Sequence, residues 1–315
     1  LFVGKLSTDE PMGGDGSYLT YHMVSSLLAM DGIELDLMDC ADILHTTGAA
    51  AFSQQLLDKV RRDQPDLLVY CPIAPLFDVT LGSLRDITAE TDTRTLLWAG
   101  ASPALLDAEA QSWPLYVDYV VAPSRALSEA YGAAGHASSV IESRWAFDAN
   151  STVPLAVPRE RRISLGGERN PPREHVAEGI KANALPLTCY GLGWPDGPLS
   201  FEAMVREHAG AAINLSVMSR RRPFEVAGAG GFVMSTELDE LEGAFVTDEN
   251  GADDAEIVIV RDIAEIVAKA RFYLANDRER ERIRLRGHER ARQDHTWERR
   301  FREVIRQAGW SLPVA

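Results

Sequence analysis

At 315 residues the chain is long for a single core, and a domain size of about 150 residues points to two domains. A net charge of −15 argues against a general polyanion binder, since a phosphate backbone would be repelled overall; 45% hydrophobic and 25% charged residues argue against disorder. Cys40, Cys71 and Cys189 lie far apart in apolar runs and read as reduced thiols; with no leader-like stretch and no membrane-length apolar run, the expectation is a cytoplasmic protein without a membrane span.

In chain order, residues 1–147 alternate short apolar runs with helical patterns, as a parallel α/β sheet does. Strands are expected at 1–5, 34–39, 66–71, 94–99, 118–122 and 138–142. Between the first two, Leu19, Met23, Ser26, Leu27 and Met30 fall at helical spacing. Residues 148–162 are polar, carry Pro154 and Pro158, and read as a linker. The alternation restarts with strands at 162–166, 186–190 and 211–215, a further strand after Glu225, and a last one at 257–260. Beyond 262 the pattern is wholly helical, with Ile263, Ile266, Val267, Ala270 and Leu274 on one stripe. Twelve arginines between Arg271 and Arg306 interleave with Glu279, Glu281, Glu289 and Glu303, as on solvated helix faces.

The most informative block runs from Arg222 through Phe224, Glu225 and a set of small residues to Gly231 and an apolar strand. A carboxylate accepts two hydrogen bonds, which suits the vicinal diol of a ribose, and arginines beside it suit a diphosphate. The competing reading of Glu225 is a residue that only offsets a helix dipole. Gly13, Gly14 and Asp15 follow the first strand and precede a helix, where glycines let backbone approach a phosphate; a plain surface loop is the alternative. Gly191, Gly193 and Trp194 are a poor dinucleotide fingerprint, because Pro195 and Pro198 fall where a helix should begin. Gly166 to Arg173 makes another strand-to-helix junction, where Arg169 or Arg173 could neutralise a leaving diphosphate. No Asp-x-Asp stands at a strand end, so no metal is expected, and no nucleophile elbow, Walker loop or cysteine pair is present.

The order Ala211-Ala-Ile-Asn-Leu-Ser216, Arg222-Pro-Phe-Glu225, Phe272-Tyr-Leu-Ala-Asn-Asp277, Gly287-His-Glu-Arg290 and His295-Thr-Trp297 resembles the C-terminal half of the CgeB-like, spore-maturation type glycosyltransferases. The resemblance covers roughly residues 160–306. It implies a GT-B fold, in which two Rossmann-like domains face a central cleft. The division would be 1–147 for an acceptor domain, 148–162 for a linker, 163–296 for a nucleotide-sugar domain, and 297–315 for a helix returning to the first domain.

It further implies Glu225 on the ribose, Arg222 on the diphosphate, and Gly193 with Trp194 as walls of the nucleobase site. The donor would be a nucleotide sugar, UDP-linked by default, with no cofactor; the acceptor is unread, and nucleic acid is disfavoured by the acidity. A catalytic base would sit on the first domain, where Asp15 and His22 are the candidates; the alternatives are a helix cap and a packed helix residue. Related retaining transferases often carry a second glutamate eight positions before the first, and Val217 stands there, which leaves retention or inversion unread. The rival functions are a GT-B sugar-nucleotide epimerase and a non-catalytic nucleotide-sugar-binding protein.

Overall fold

A computed structural model describes residues 1–6, 18–72, 81–100, 112–241, 243–249 and 253–311. The first sheet comprises β1 (Phe2–Gly4), β2 (Leu37–Asp39), β3 (Leu67–Tyr70), β4 (Arg94–Trp98), β5 (Tyr119–Ala122) and β6 (Val140–Glu142), in the order β2-β1-β3-β4-β5-β6. The second comprises β7 (Glu160–Gly166), β8 (Leu187–Tyr190), β9 (Ala211–Ser216), β10 (Val233–Thr236) and β11 (Val258–Val260), in the order β11-β10-β9-β7-β8. Every pairing is parallel. Such strands are covered on both faces, which is why they read as unbroken apolar runs.

The helices that matter for function are few. A π-helical stretch, Leu19–Val24, runs directly into the α-helix Ser25–Leu28, and the two together form α1. In the second domain lie α2 (Pro171–Ala182), α3 (Phe201–Gly210), α4 (Arg222–Gly228), α5 (Ile263–Ala275) and α6 (Asp277–Asp294). Side chains of Asn170, Ser200 and Asp262 accept the capping hydrogen bonds of α2, α3 and α5.

Both sheets share one topology. In each, the first strand lies between the second and the third, so the chain reverses its direction of travel at β1/β3 and at β7/β9. A crevice opens at such a switch point, beyond the carboxyl ends of the strands. Gly166, Gly167, Val217 and α4 gather at the β7/β9 switch.

The last helix, α7 (Trp297–Gln307), crosses back to the first domain. Thr296 caps it, and its entry is fixed by a bridge to Phe147: the Phe147 N–H donates to His295 O at 3.1 Å, and the Trp297 N–H donates to Phe147 O at 3.0 Å. Trp297 and Phe301 then pack edge-on against Trp98 of β4, with ring centroids 4.9 and 5.7 Å away. One buried apolar cluster consequently runs from Phe2, Met23 and Trp98 through Trp297 to Phe224 and Ile257.

The stretch read as a linker is structured at both ends. Strand β7 begins at Glu160, because its ladder with β9 continues to the pair Glu160 and Ala211 beyond the apolar segment. At the other end Asp148 is fully buried and accepts hydrogen bonds from Ser26 Oγ (2.6 Å), Ser25 Oγ (3.0 Å) and the Ser151 N–H (2.7 Å). Burial opposes its ionisation, yet the bonds from Ser26, Ser151 and Ser25 prevail and hold the carboxyl below its ordinary range.

Candidate active site

At the end of β7 the backbone leaves no room for side chains. A Cβ on Gly166 would stand 2.4 Å from the Tyr190 ring and 2.5 Å from Arg222 Nη1. Gly191, with φ of +125°, packs so closely that its Cβ would meet Gly167 O at 2.3 Å. Onto this tight floor project two arginines.

Arg222 is 7% exposed; its Nη1 donates to Tyr190 Oη at 2.7 Å and lies 3.3 Å from His208 Nε2, while its guanidinium stands over the Tyr190 ring at 5.4 Å. Arg173, in the first turn of α2, donates only to carbonyls, those of Val217 (3.2 Å) and Glu168 (2.8 Å). Burial lowers its pKa, and the neighbouring Arg222 lowers it further. Neither arginine pairs with a carboxylate among the described residues. Two adjacent cations, neither held in an ion pair, suit an anion.

Glu225, one turn along α4, is 7% exposed, and its carboxylate has no hydrogen-bond or ion-pair partner among the described residues. The residue is largely buried, yet its carboxylate oxygens stay open to solvent and unpartnered, so they are free to accept from a ligand's hydroxyls. Its charge is felt by Tyr18 and His22 of the first domain as well as by Tyr190, placing it where the two domains meet.

His22 sits in the π-helical stretch of α1 and is 1% exposed. Its Nδ1 accepts the Asp148 N–H at 3.1 Å, and its Nε2 is buried without a partner. Burial lowers its pKa, while Glu225 and then Asp148 oppose that shift, so the ring is neutral near pH 7. The domain contact is aromatic on either side: Tyr21 stacks on Phe201 of α3 at 4.7 Å, His22 meets the same ring edge-on at 5.5 Å, and Arg221 stands over Tyr18 at 4.5 Å. Burial, then Glu225, raises the Tyr18 phenol.

The remaining sequence candidates differ in kind. Trp194 is buried in the second-domain core with its Nε1–H donated to Gly167 O at 2.9 Å, so it offers a ligand only its ring. Gly193 has φ of +82° and lies against the Arg169 side chain. Arg169 stacks on Trp194 at 5.6 Å, but its charge is paired with Glu174, unlike that of Arg173. Gly13, Gly14 and Asp15 lie outside the described residues. The structure adds Tyr190, His208 and Asp148, which sequence reasoning passed over. A tyrosine at a strand end and a histidine in the last turn of an amphipathic helix carry no local signal, and Asp148 opens a stretch polar enough to read as linker.

Two parallel sheets with surrounding helices, and a last helix returning to the first domain, are the GT-B architecture. Residues 169–306 match the family described as glycosyl transferase-like, and the fold is the GT-B fold of solved glycosyltransferases. No curated protein matches the sequence. Among solved structures, sucrose-phosphate synthase from Thermosynechococcus elongatus is similar at 12% identity with a TM-score of 0.70, over 97% of this chain and 98% of that one. HepE of Anabaena, solved in complex with UDP-glucose, is similar at 12% identity and a TM-score of 0.65, again over 97% and 98%. The lipopolysaccharide outer core galactosyltransferase WaaB in its apo form follows at 12% identity and 0.61, over 96% and 98%.

Proposed function

We propose that the chain moves a glycosyl group from a nucleoside diphosphate sugar, UDP-linked, to an acceptor bound mainly by the first domain, without a metal ion and as a member of the CgeB-like group. The observation that carries this reading is Glu225, a largely buried residue whose carboxylate is unpartnered, near two arginines that form no ion pair among the described residues. The carboxylate suits the ribose diol, and Arg222 with Arg173 suits the diphosphate. HepE, solved with UDP-glucose, shares the fold across nearly its whole length, which supports the same class of donor.

In the reaction, the bond between the sugar's anomeric carbon and the β-phosphate oxygen breaks while an acceptor oxygen bonds to that carbon. Negative charge grows on the departing diphosphate, and fixed cations in a water-poor crevice stabilise it more than they stabilise the bound donor. Arg173 and Arg222 thereby take the part that a divalent cation takes elsewhere. Gly193 and the face of Trp194, with Arg169 stacked on it, would flank the nucleobase, and Gly13 and Gly14 would approach the phosphates from the first domain. His22 has its Nδ1 engaged as an acceptor and therefore carries its proton on Nε2; that favours a hydrogen-bond donor to the donor substrate over a base, and leaves Asp15 as the candidate base.

The test is incubation of pure protein with a panel of UDP-sugars. Slow release of UDP, unaffected by a chelator, supports transfer. An isomerised UDP-sugar would indicate an epimerase, and binding without turnover would indicate a non-catalytic protein. If no nucleoside diphosphate raises the melting temperature, the reading fails, since a ligand at a hundred times its Kd adds about 2.7 kcal/mol to stability.

A further inference from the structure

Arg222 is held in an unusual way for a buried cation. Its Nη1 donates to Tyr190 Oη at 2.7 Å, and the same hydroxyl lies 3.1 Å from His208 Nε2, itself 3.3 Å from Nη1. A guanidinium can only donate, so it meets the phenol oxygen as acceptor; the phenol hydrogen is then directed to His208 Nε2, which must be unprotonated. His208 consequently carries its hydrogen on Nδ1, an atom buried without a partner. Burial, with Arg222 and His22 adding to it, depresses the histidine pKa well below its ordinary value, and burial lifts the Tyr190 phenol to about 12. Both groups are neutral across the physiological range.

The chain of donors therefore runs from Arg222 to Tyr190 to His208 and contains no negative charge. Arg222 Nε is buried and unpartnered, and Nη2 makes no hydrogen bond to a described residue. Gly166 completes the arrangement, because any Cβ there would displace both the Tyr190 ring and Nη1. A carboxylate in place of Tyr190 would orient the guanidinium equally well but would cancel the charge that an anion needs.

We infer that Tyr190 and His208 are positioning residues that fix the Arg222 guanidinium through neutral acceptors, so that its whole charge is offered to the donor's diphosphate. This rests on the nucleotide-sugar reading of the site. The pair acts through Arg222 and touches neither the nucleobase nor the acceptor, so its loss weakens recognition of phosphate and leaves recognition of the nucleoside unchanged.

The test compares binding of UDP and of uridine by calorimetry, with ADP and adenosine, and GDP and guanosine, as parallel pairs. In Tyr190→Phe the expected result is a roughly tenfold loss of affinity for the diphosphate, the scale of one hydrogen bond to a charged group, with nucleoside affinity unchanged. His208→Leu should behave alike, whereas His208→Gln, which returns an acceptor near the Nε2 position, should recover most of the affinity. A merely structural role would lower both ligands together and would not distinguish glutamine from leucine. If the wild type binds UDP and Tyr190→Phe binds it equally well while Arg222→Ala does not, the inference is overturned and the donor site stands. If the wild type binds none of the diphosphates, both fall.

Discussion

The backbone N–H of Asp148 donates to Nδ1 of His22 at 3.1 Å, which makes Nε2 the protonated nitrogen of a ring buried between the domains. The bond joins α1 to the crossover and fixes a tautomer that a side chain alone would leave open. It depends on the Asp148 carboxylate, whose bonds to Ser25, Ser26 and Ser151 hold the crossover in place. Asp148→Ala should therefore leave the buried Ser26 hydroxyl, the half-buried Ser25 hydroxyl and the Ser151 N–H without their acceptor and cost about 2–4 kcal/mol, read from urea unfolding. Asp148→Asn, which keeps one acceptor oxygen, should cost less than half of that. Equal costs for the two variants would mean that the bonds, as drawn, contribute little.

Glu225 gives a prediction in which stability and function part company. The residue is largely buried but its carboxylate has no partner among the described residues, so Glu225→Gln removes no hydrogen bond or ion pair of the empty protein. The melting temperature should stay level or rise. Affinity for a nucleoside diphosphate should fall tenfold or more, because one acceptor of the ribose pair becomes a donor and its charge-assisted bonds, worth about 1.5–3 kcal/mol, weaken. Calorimetry and a thermal melt on the same sample decide it; a variant that melts lower while binding unchanged would assign Glu225 a structural role.

What the sequence disclosed follows from how far apart the interacting residues lie. The strands were legible because most are parallel apolar runs, buried on both faces in the middle of each sheet, and Glu225 and Arg222 because they share a few consecutive residues with a strand behind them. Tyr190 and His208 were not legible, since their meaning depends on Arg222, 32 and 14 residues away, and on a floor of glycines that brings them together. Asp148 is the sharper case. Its polarity, followed by Pro154 and Pro158, is that of a linker, and only the folding of Ser25 and Ser26, more than a hundred residues earlier, turns it into a buried clasp. The π-helical stretch at His22 likewise has no counterpart in the apolar periodicity, which is that of an ordinary helix.

Gly228, near the end of α4, tests the contact between the site helix and the crossover. A Cβ there would lie 2.4 to 2.6 Å from three atoms of the Phe147 ring. Alanine improves helix propensity by up to about 1 kcal/mol, but overpacking against a buried ring costs about 1–3 kcal/mol, and the ring is fixed on both sides by the bridge to His295 and Trp297. Gly228→Ala should accordingly be destabilising in urea unfolding, and Phe147→Leu in the same chain should recover part of the loss. Additive effects in the double variant would show that the two do not touch.

Acid should unfold this protein through its histidines before its carboxylates titrate. His22, His208 and His295 all have folded-state pKa values below the ordinary 6.5, His295 near 3, each chiefly through burial. The sign follows directly: as the pH falls below about 6.5 the unfolded chain takes up protons that the folded chain refuses, so stability is complete above that pH and declines below it. Each histidine adds up to about 1.4 kcal/mol per pH unit to the slope once its unfolded form is fully protonated. Unfolding free energies measured from pH 7.5 to 5 should fall progressively, and His208→Gln should remove one histidine's share of the slope. A level profile over that range would mean that these rings gain protons as readily in the folded chain as in the unfolded one, and that their Nδ1 and Nε2 assignments are wrong.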